Sequence, residues 1–594
     1  MRAVPPMPIG STSKLCFVFK GCTILTLPSN NRTLIEQLLA EQRELTAVEI
    51  FSRAHDTHAL PSARYRELLP ATPPATGQQY AFEVDLDQCS GCKACVTACH
   101  SLNGLDEGES WRDVGGLISD DWRKPFTQTV TTACHHCADP GCLNGCPVLA
   151  YEKDAITGIV RHLDDQCIGC QYCVLKCPYE VPQYSKKRGI VRKCDMCSQR
   201  LAVGEAPACA QACPNEAIRI TVVAIAPAAL SLRTSGFELH AQDESKSMSE
   251  SQGGSKMQWA APASWLPASP DPRITLPTTR FISKRGLPEG LIPAAHRAPV
   301  LQPAHWPLIL MLILTQLSVG VFLFLSAMPA SMQPVAALAG TISLLAGLGA
   351  SVFHLGRPLQ AWRAFLGWRK SWMSREILAF GLFAPLSIAS TLALNVPTDW
   401  NAGLRLGQQL SLVPWLGCAA ALAGLASVFC SGMIYHDTRR ACWRGVRSVG
   451  RFFSTTIVLG LAALWVASAI SGGPAGWLPA LLALAALGKL SGELRALRPA
   501  ASALAEEAWP KTGDADDWVL ARHARLLLGE LGLLTRTRIA ALLVGGVLLP
   551  LLAFLPGFGV TSASCTALVC CALAELAERY SFFRAVVTPK MPGL

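Results

Sequence analysis

At 594 residues the chain is too long for a single hydrophobic core, and two or three domains are expected. Hydrophobic residues make up 51% and charged residues only 16%, well under the roughly 25% charged usage of a soluble domain, and the apolar excess gathers after residue 305, so a membrane part is expected. The net charge of +10 is poor ground for a nucleic-acid binder, because much of it lies in short loops between apolar runs and no aromatic and basic residues interleave as base stacking would need.

Residues 1–31 hold an apolar run, Leu15–Leu27, broken by Lys20 and preceded by no twin-arginine pair. They lack the uninterrupted core and small-residue cleavage site of a secretory signal, and the reading is a disordered extension. In residues 32–79, Leu34, Leu38, Leu39, Leu45, Val48 and Phe51 recur at helical spacing. An amphipathic helical lead-in is expected there, closed by the proline-rich run Pro70–Pro74.

Residues 80–223 hold sixteen of the 24 cysteines. They form four groups: Cys89, Cys92, Cys95, Cys99; Cys134, Cys137, Cys142, Cys146; Cys167, Cys170, Cys173, Cys177; and Cys194, Cys197, Cys209, Cys213. The first and third read C-x2-C-x2-C-x3-C, the bacterial ferredoxin run, whose first three thiolates hold one [4Fe–4S] cluster and whose fourth reaches its neighbour. The second and fourth are the same run with a longer insertion before the third cysteine, and Pro147, Pro178 and Pro214 each follow a last cysteine. Zinc uses four ligands, usually as two separated pairs, and disulfides need an oxidising compartment and suitable geometry; neither accounts for the third thiolate of each run. The expectation is an α+β, double ferredoxin-like domain carrying four [4Fe–4S] clusters, an electron wire. Which groups pair stays open from spacing alone. Lys93, Lys176, Arg192 and Lys193 would offset cluster charge and raise a potential, or else be solvated or touch a partner.

The stretches CSGCKACVTACHSLNG, CHHCADPGCLNGCP, CIGCQYCVLKCPYEVPQY and RKCDMC…ACAQACP resemble the electron-transfer subunit of molybdenum oxidoreductases related to dimethyl sulfoxide reductase. The resemblance implies a nested pairing. Cys89, Cys92 and Cys95 would share a cluster with Cys213, and Cys99 one with Cys194, Cys197 and Cys209. The inner pair would be Cys134, Cys137 and Cys142 with Cys177, and Cys146 with Cys167, Cys170 and Cys173. Some relatives place tryptophan at the middle position of the third group and hold a [3Fe–4S] cluster; Cys170 stands there in this chain, so all four clusters are expected to be [4Fe–4S].

Residues 224–304 are rich in Ser, Pro, Ala and Gly without a sustained period, and read as a flexible linker, with the extended run Leu266–Phe281 lying along a partner subunit. Residues 305–585 read as an all-α polytopic membrane anchor of about eight transmembrane helices, at approximately 306–328, 332–354, 376–395, 411–434, 454–471, 475–494, 537–556 and 560–579, each near the roughly 20 residues a crossing helix needs; 586–594 is a tail. Arg357, Arg363, Arg369, Lys370 and Arg375 follow the second span and Arg439, Arg440, Arg444, Arg447 and Arg451 the fourth, while the alternate loops hold only Arg405. By the positive-inside rule this is a multi-pass inner-membrane protein with its cluster domain in the cytoplasm. The alternative is that these arginines dock the cluster domain, as they would in relatives whose soluble subunits are exported.

Residues 351–378, SVFHLGRPLQAWRAFLGWRKSWMSREIL, and the closing AERYSFFRAVVTPKMPG resemble the membrane anchor of the same reductase family. The resemblance implies that His354 and Glu376 belong to a menaquinol site, and Arg357 is a candidate to orient the quinone carbonyl or an acidic neighbour. Quinol oxidation releases two electrons and two protons, so a group titrating near neutrality and a carboxylate suit it; the plainer reading is that His354 bonds a neighbouring helix and Glu376 pairs with Arg375 or favours a helix start. Together the two resemblances imply a non-catalytic subunit exchanging electrons between the menaquinone or ubiquinone pool and a molybdopterin-containing catalytic subunit. The partner would be a reductase of S- or N-oxides or, run oxidatively, a sulfite dehydrogenase. A self-contained quinone-linked module that moves ions is the other reading. It would need ionisable residues through the spans, where only His354, Glu376, Lys489, Glu493, Glu575 and Glu578 stand out. The remaining cysteines have no ligand spacing.

Overall fold

The computed structural model describes residues 33, 35–36, 68–119, 121, 123–225, 265–267, 269–288, 290–295, 300–395, 405–406, 410–411, 413–472, 476–505 and 515–587. The chain divides into two units, Met1–Arg64 and Tyr65–Leu594. In the first, the Thr33 N–H donates to the Glu36 carboxylate at 2.8 Å and the Glu36 N–H to the Thr33 hydroxyl at 3.3 Å, a reciprocal capping box at the expected helix start. The rest of the expected lead-in up to residue 67, the extension 1–31, residues 226–264 of the expected linker and residues 588–594 lie outside the described residues.

In the second unit, short elements alternate with cysteine loops. They run β1 (Gln78–Asp85), α1 (Ala94–Leu102), β2 (Asp113–Ser119), β3 (Thr127–Thr132), α2 (Gly141–Gly145), β4 (Tyr151–Lys153), β5 (Val160–His162), α3 (Tyr172–Lys176), β6 (Gln183–Ser185), β7 (Ile190–Arg192), α4 (Ser198–Ala202), α5 (Ala208–Gln211) and β8 (Ile218–Ala224). β1 pairs antiparallel with β8, so the start and end of the cysteine-rich stretch close on each other, with β4–β5 and β6–β7 as separate hairpins. None of the described cysteines is disulfide-bonded.

The segment read as linker does something else over 265–295. β9 (Arg280–Ile282) joins the edge of β1 in parallel, and β10 (Leu291–Pro293) pairs antiparallel with β2. The Ala138 N–H donates to the Leu276 carbonyl at 2.7 Å, and Thr275 Oγ1 lies 3.4 Å from Cys137 Sγ. Leu266–Phe281 therefore lies along its own cluster domain. Proline spacing and three-residue strands left no period by which the sequence could announce them.

Eight helices among the described residues are long and apolar enough to cross a membrane. They are α6 (Trp306–Leu325), α7 (Gln333–Val352), α8 (Trp372–Asn395), α9 (Val413–His436), α10 (Val449–Ser471), α11 (Trp477–Ala505), then, after α12 (Ala515–Leu528) in the expected loop, α13 (Gly532–Leu543), continued by a π-turn to Leu552, and α14 (Val560–Arg584). Three start earlier than the apolar runs suggested, because Arg375, Arg451 and Arg536 bounded the apolar windows, although Arg451 is paired with Glu578. α6 and α10 cross at Gly320 and Gly460, where a Cβ on either would strike the other helix's backbone, the close approach that small residues allow between membrane helices.

The cluster domain seats on the loops at one end of these helices. The Arg357 N–H donates to the Ile168 carbonyl at 3.0 Å, the Gly367 N–H to the Pro147 carbonyl at 2.8 Å, and the Ser371 hydroxyl to the Gly145 carbonyl at 2.7 Å. Arg440 reaches Glu180 at 3.2 Å, and Lys176 pairs with Asp437. Gly356 meets Gly189 so closely that a Cβ at residue 356 would strike the Gly189 carbonyl. Arginines that define the basic loops thus hold the cluster domain.

Candidate functional site

The cysteine loops depart from ordinary backbone where their sulfurs must converge. Lys93, His136, Gln171, Met196 and Cys197 have φ of 62°, 40°, 59°, 61° and 51°, in the left-handed region that non-glycine residues adopt at a cost. That turn rotates backbone N–H groups into a concavity of the kind that binds anions, iron–sulfur centres included. Four N–H groups already point at sulfur: Ala150 to Cys146 at 3.2 Å, Ala217 to Cys213 at 3.3 Å, Gly169 to Cys167 and Met196 to Cys194 at 3.4 Å.

The cysteines gather into sets. Cys134, Cys137, Cys142 and Cys177 line one cavity with His135, Lys193 and Thr275. Burial and the neighbouring Cys146 and Cys167 push the Cys170 thiol up, and the same influences, with Cys170 added, act on Cys173. Burial, then Cys209 and Cys197, push Cys99 up to about 12. Cys95 is raised by burial and by Cys209 and Cys213. Thiols raised in this way bind metal by losing protons to it. No group of three or more His, Cys, Asp or Glu among the described residues converges tightly enough for a single metal ion, as a zinc site would require. The loops, the inward N–H groups and the sets suit iron–sulfur clusters. Cys194 also senses Cys134, so neighbouring sets adjoin.

Of the basic residues marked in the sequence, Arg192 pairs with Glu109 at 3.0 Å and Lys176 with Asp437, and Lys93 is exposed. Only Lys193 is buried against sulfur, its Nζ 3.6 Å from Cys134 Sγ and 2.8 Å from the Cys194 carbonyl.

Beneath the set of Cys146, Cys167, Cys170 and Cys173 lies a small cavity between the cluster domain and the membrane helices. Cys170, Gln171 and Tyr172 form its roof, and His305, His354, Met373, Glu376 and Tyr435 line it with apolar residues of α6 and α9. His354 Nε2 lies 3.1 Å from the Cys170 carbonyl. A carbonyl only accepts, so Nε2 carries the hydrogen and Nδ1 keeps its lone pair. Burial and the nearby His305, whose ring centroid is 5.4 Å away, pull the His354 pKa down to about 4 and keep the ring neutral. Glu376 sits in the second turn of α8, buried, accepting a hydrogen bond from the Ser431 hydroxyl. It does not pair with Arg375, whose guanidinium turns back to the Trp368 and Arg369 carbonyls.

His354 and Glu376, chosen from sequence, thus share one cavity. Arg357 does not line it: its guanidinium donates to the Asp164 carbonyl at 2.8 Å, and its role is in docking. His305, Tyr172 and Tyr435 went unmarked in the sequence. They come from three distant stretches, and an aromatic in an apolar helix carries no local signal.

Two family profiles match the chain: a 4Fe-4S dicluster domain over residues 126–223 and a DMSO reductase anchor subunit (DmsC) over 302–506. The B subunit of the anaerobic dimethyl sulfoxide reductase of Haemophilus influenzae is 36% identical over 150 residues, 24% of this chain and 73% of that protein. Its counterpart in Escherichia coli (strain K12) is 37% identical over 148 residues, 24% and 72%. The iron-sulfur subunit of the nitrate-inducible formate dehydrogenase of the same strain is 36% identical over 168 residues, 25% and 57%. The chain is an electron-transfer iron–sulfur subunit and a multi-pass membrane anchor in one polypeptide, and it belongs to the dimethyl sulfoxide reductase iron–sulfur subunit family, fused here to an anchor of the DmsC type.

Proposed function

We propose that this chain passes electrons between membrane quinol and a molybdopterin-containing catalytic subunit through four [4Fe–4S] clusters, with the cavity at His354 and Glu376 as the quinol site. The observation that carries the reading is that Cys170 roofs the same cavity that His354 and Glu376 line, with His354 bonded to its carbonyl. Cys89, Cys92, Cys95 and Cys213 hold one cluster; Cys99, Cys194, Cys197 and Cys209 the next; Cys134, Cys137, Cys142 and Cys177 a third; and Cys146, Cys167, Cys170 and Cys173 the one over the cavity. Each cluster, when bound, carries one electron at a time.

His354 Nδ1 accepts the hydrogen of one quinol hydroxyl and orients the ring under Cys170. As the two electrons leave one after the other, the Glu376 carboxylate takes the proton of the other hydroxyl and His354 Nδ1 that of the first, and the Ser431 hydroxyl bonds the carboxylate while it is charged. Menaquinone and ubiquinone present the same oxygens to these groups, and the geometry serves quinol oxidation and quinone reduction alike. A sulfite-oxidising partner would use the second direction. The cluster domain belongs on the cytoplasmic side of the inner membrane: setting aside the docking residues Arg357, Arg363 and Arg440, its side still keeps Arg369, Lys370, Arg439, Arg444 and Arg447, against Arg405 opposite.

Reduction of the clusters by a soluble quinol analogue in the detergent-purified chain tests the site. His354→Ala and Glu376→Gln are expected to abolish it while iron content and reduction by dithionite are unchanged. Quinol-driven reduction at the parental rate in both variants would remove the site assignment.

A further inference from the structure

Arg112, the residue before β2, is 1% exposed, and its surroundings are unusual for a buried guanidinium. One nitrogen, Nη1, donates to Thr131 Oγ1 at 3.2 Å. Nε and Nη2 have no hydrogen-bond partner. Among the described residues no carboxylate forms an ion pair with it, and the Phe82 ring lies 4.6 Å from the guanidinium carbon to the ring centroid. A buried cation with two unmet donors is costly unless something anionic accepts from it.

The acceptor surface is sulfur. As thiolates, Cys209, Cys95, Cys194 and Cys99 would favour the charged guanidinium, and they come from the two outer ligand sets proposed above. Thr131 links the guanidinium to one of them, its Oγ1 lying 3.6 Å from Cys95 Sγ. Lys193 differs: it is equally buried, but carbonyl oxygens of Val160 and Cys194 already accept from its Nζ.

We propose that Arg112 donates its free Nε–H and Nη2–H to cluster sulfur on the side of Thr131 and Cys95, where the two outer ligand sets adjoin, and sets the reduction potential of the cluster it bonds above the value it would otherwise have. A cluster with four thiolates is an anion in either state and gains one further negative charge on reduction. A fixed cation, poorly screened in a buried site, stabilises the reduced form more. Arg112 is a positioning and tuning residue of the electron path rather than a ligand, and the assignment rests on the ligand sets proposed above.

The test is an EPR-monitored redox titration of the full chain in detergent. In Arg112→Gln the midpoint of one cluster is expected to fall by at least a tenfold change in its reduced-to-oxidised ratio at fixed ambient potential, about 59 mV for a one-electron couple; Arg112→Lys, which keeps the charge, is expected to fall less. Four unchanged midpoints at full iron content would overturn the proposal. If Arg112→Gln fails to hold its clusters, the unaltered chain labelled with 15N at arginine decides: a 15N coupling on a reduced cluster supports the bond, and none on any cluster overturns it. Cys197→Ser assigns the cluster: the signal that Arg112→Gln shifts is lost in this variant if it belongs to the set of Cys99, Cys194, Cys197 and Cys209, and is kept if it belongs to that of Cys89, Cys92, Cys95 and Cys213.

Discussion

Buried carboxylates in the membrane half are treated in two ways. Glu575 accepts from Lys489 Nζ at 2.5 Å and from the Thr455 hydroxyl at 2.7 Å; Glu493 pairs with Arg538 at 2.6 Å; Glu578 pairs with Arg579 at 2.7 Å and with Arg451 at 3.6 Å. Arg579 also reaches Gln316 on α6 at 3.0 Å, so α6, α10, α11, α13 and α14 are cross-braced by charge. Glu376 is equally buried, yet among the described residues its one side-chain hydrogen bond comes from a hydroxyl, and it faces a cavity. A charge in hydrocarbon must be neutralised by a cation or by a proton. The first choice makes a brace; the second, on the quinol-site reading proposed above, leaves a carboxylate able to take up a proton and give it back.

Breaking a brace should have the largest effect on stability. Lys489→Met leaves Glu575 charged and buried, and a loss of about 3–5 kcal/mol is expected, read as a lower midpoint of thermal unfolding in detergent. Lys489→Met with Glu575→Met should recover most of it; a single variant as stable as the parent would show that the pair braces nothing. Glu376→Gln should behave in the opposite way. Stability stays within about 1 kcal/mol because an amide still accepts from Ser431, while quinol-driven cluster reduction falls by about 10²–10⁴. An unfolding midpoint that dropped as far as that of Lys489→Met would erase the distinction between the two kinds of carboxylate.

Gly356→Ala comes next in size. Its methyl would press on the Gly189 carbonyl, overpacking worth about 1–3 kcal/mol, and should lift the cluster domain from the anchor. Quinol-driven reduction is expected to slow with dithionite-reducible iron unchanged, and an equal fall in both would point to a damaged cluster instead. Ser431→Ala is the mildest. Removing one hydrogen bond to a charged group costs about 1.5–3 kcal/mol at most, and a rate loss near tenfold is expected. Loss as deep as that of Glu376→Gln would make Ser431 part of the proton route.

The sequence was most legible where chemistry is local. Cysteine runs mark candidate ligands within at most twenty residues, and apolar runs declare membrane helices. His354 and Glu376 were found only through resemblance, and the structure adds that they share a cavity. The braces were invisible for a different reason: Lys489 and Glu575 are 86 residues apart, so each looked like a stray charge, and Arg451, Arg538 and Arg579 looked like loop or span-end residues. The structure pairs Glu493, Glu575 and Glu578 with Arg538, Lys489 and Arg579. Arg112 escaped notice because nothing in its local sequence marks it as buried.

The strap of residues 265–295 has a bearing on biogenesis. Thr275 closes over Cys137 and the Tyr179 hydroxyl, and β9 and β10 complete sheets begun by β1 and β2. All sixteen cysteines are made before that strap, and the first membrane helix directly after it. During synthesis, which proceeds from the N-terminus at about 5–20 residues per second, the cavity of Cys134, Cys137, Cys142 and Cys177 therefore stays uncovered on the side that Thr275 will occupy until the chain is about to deliver α6 to the bilayer. Closing the metal-binding domain and committing to the membrane are neighbouring events in the life of this polypeptide.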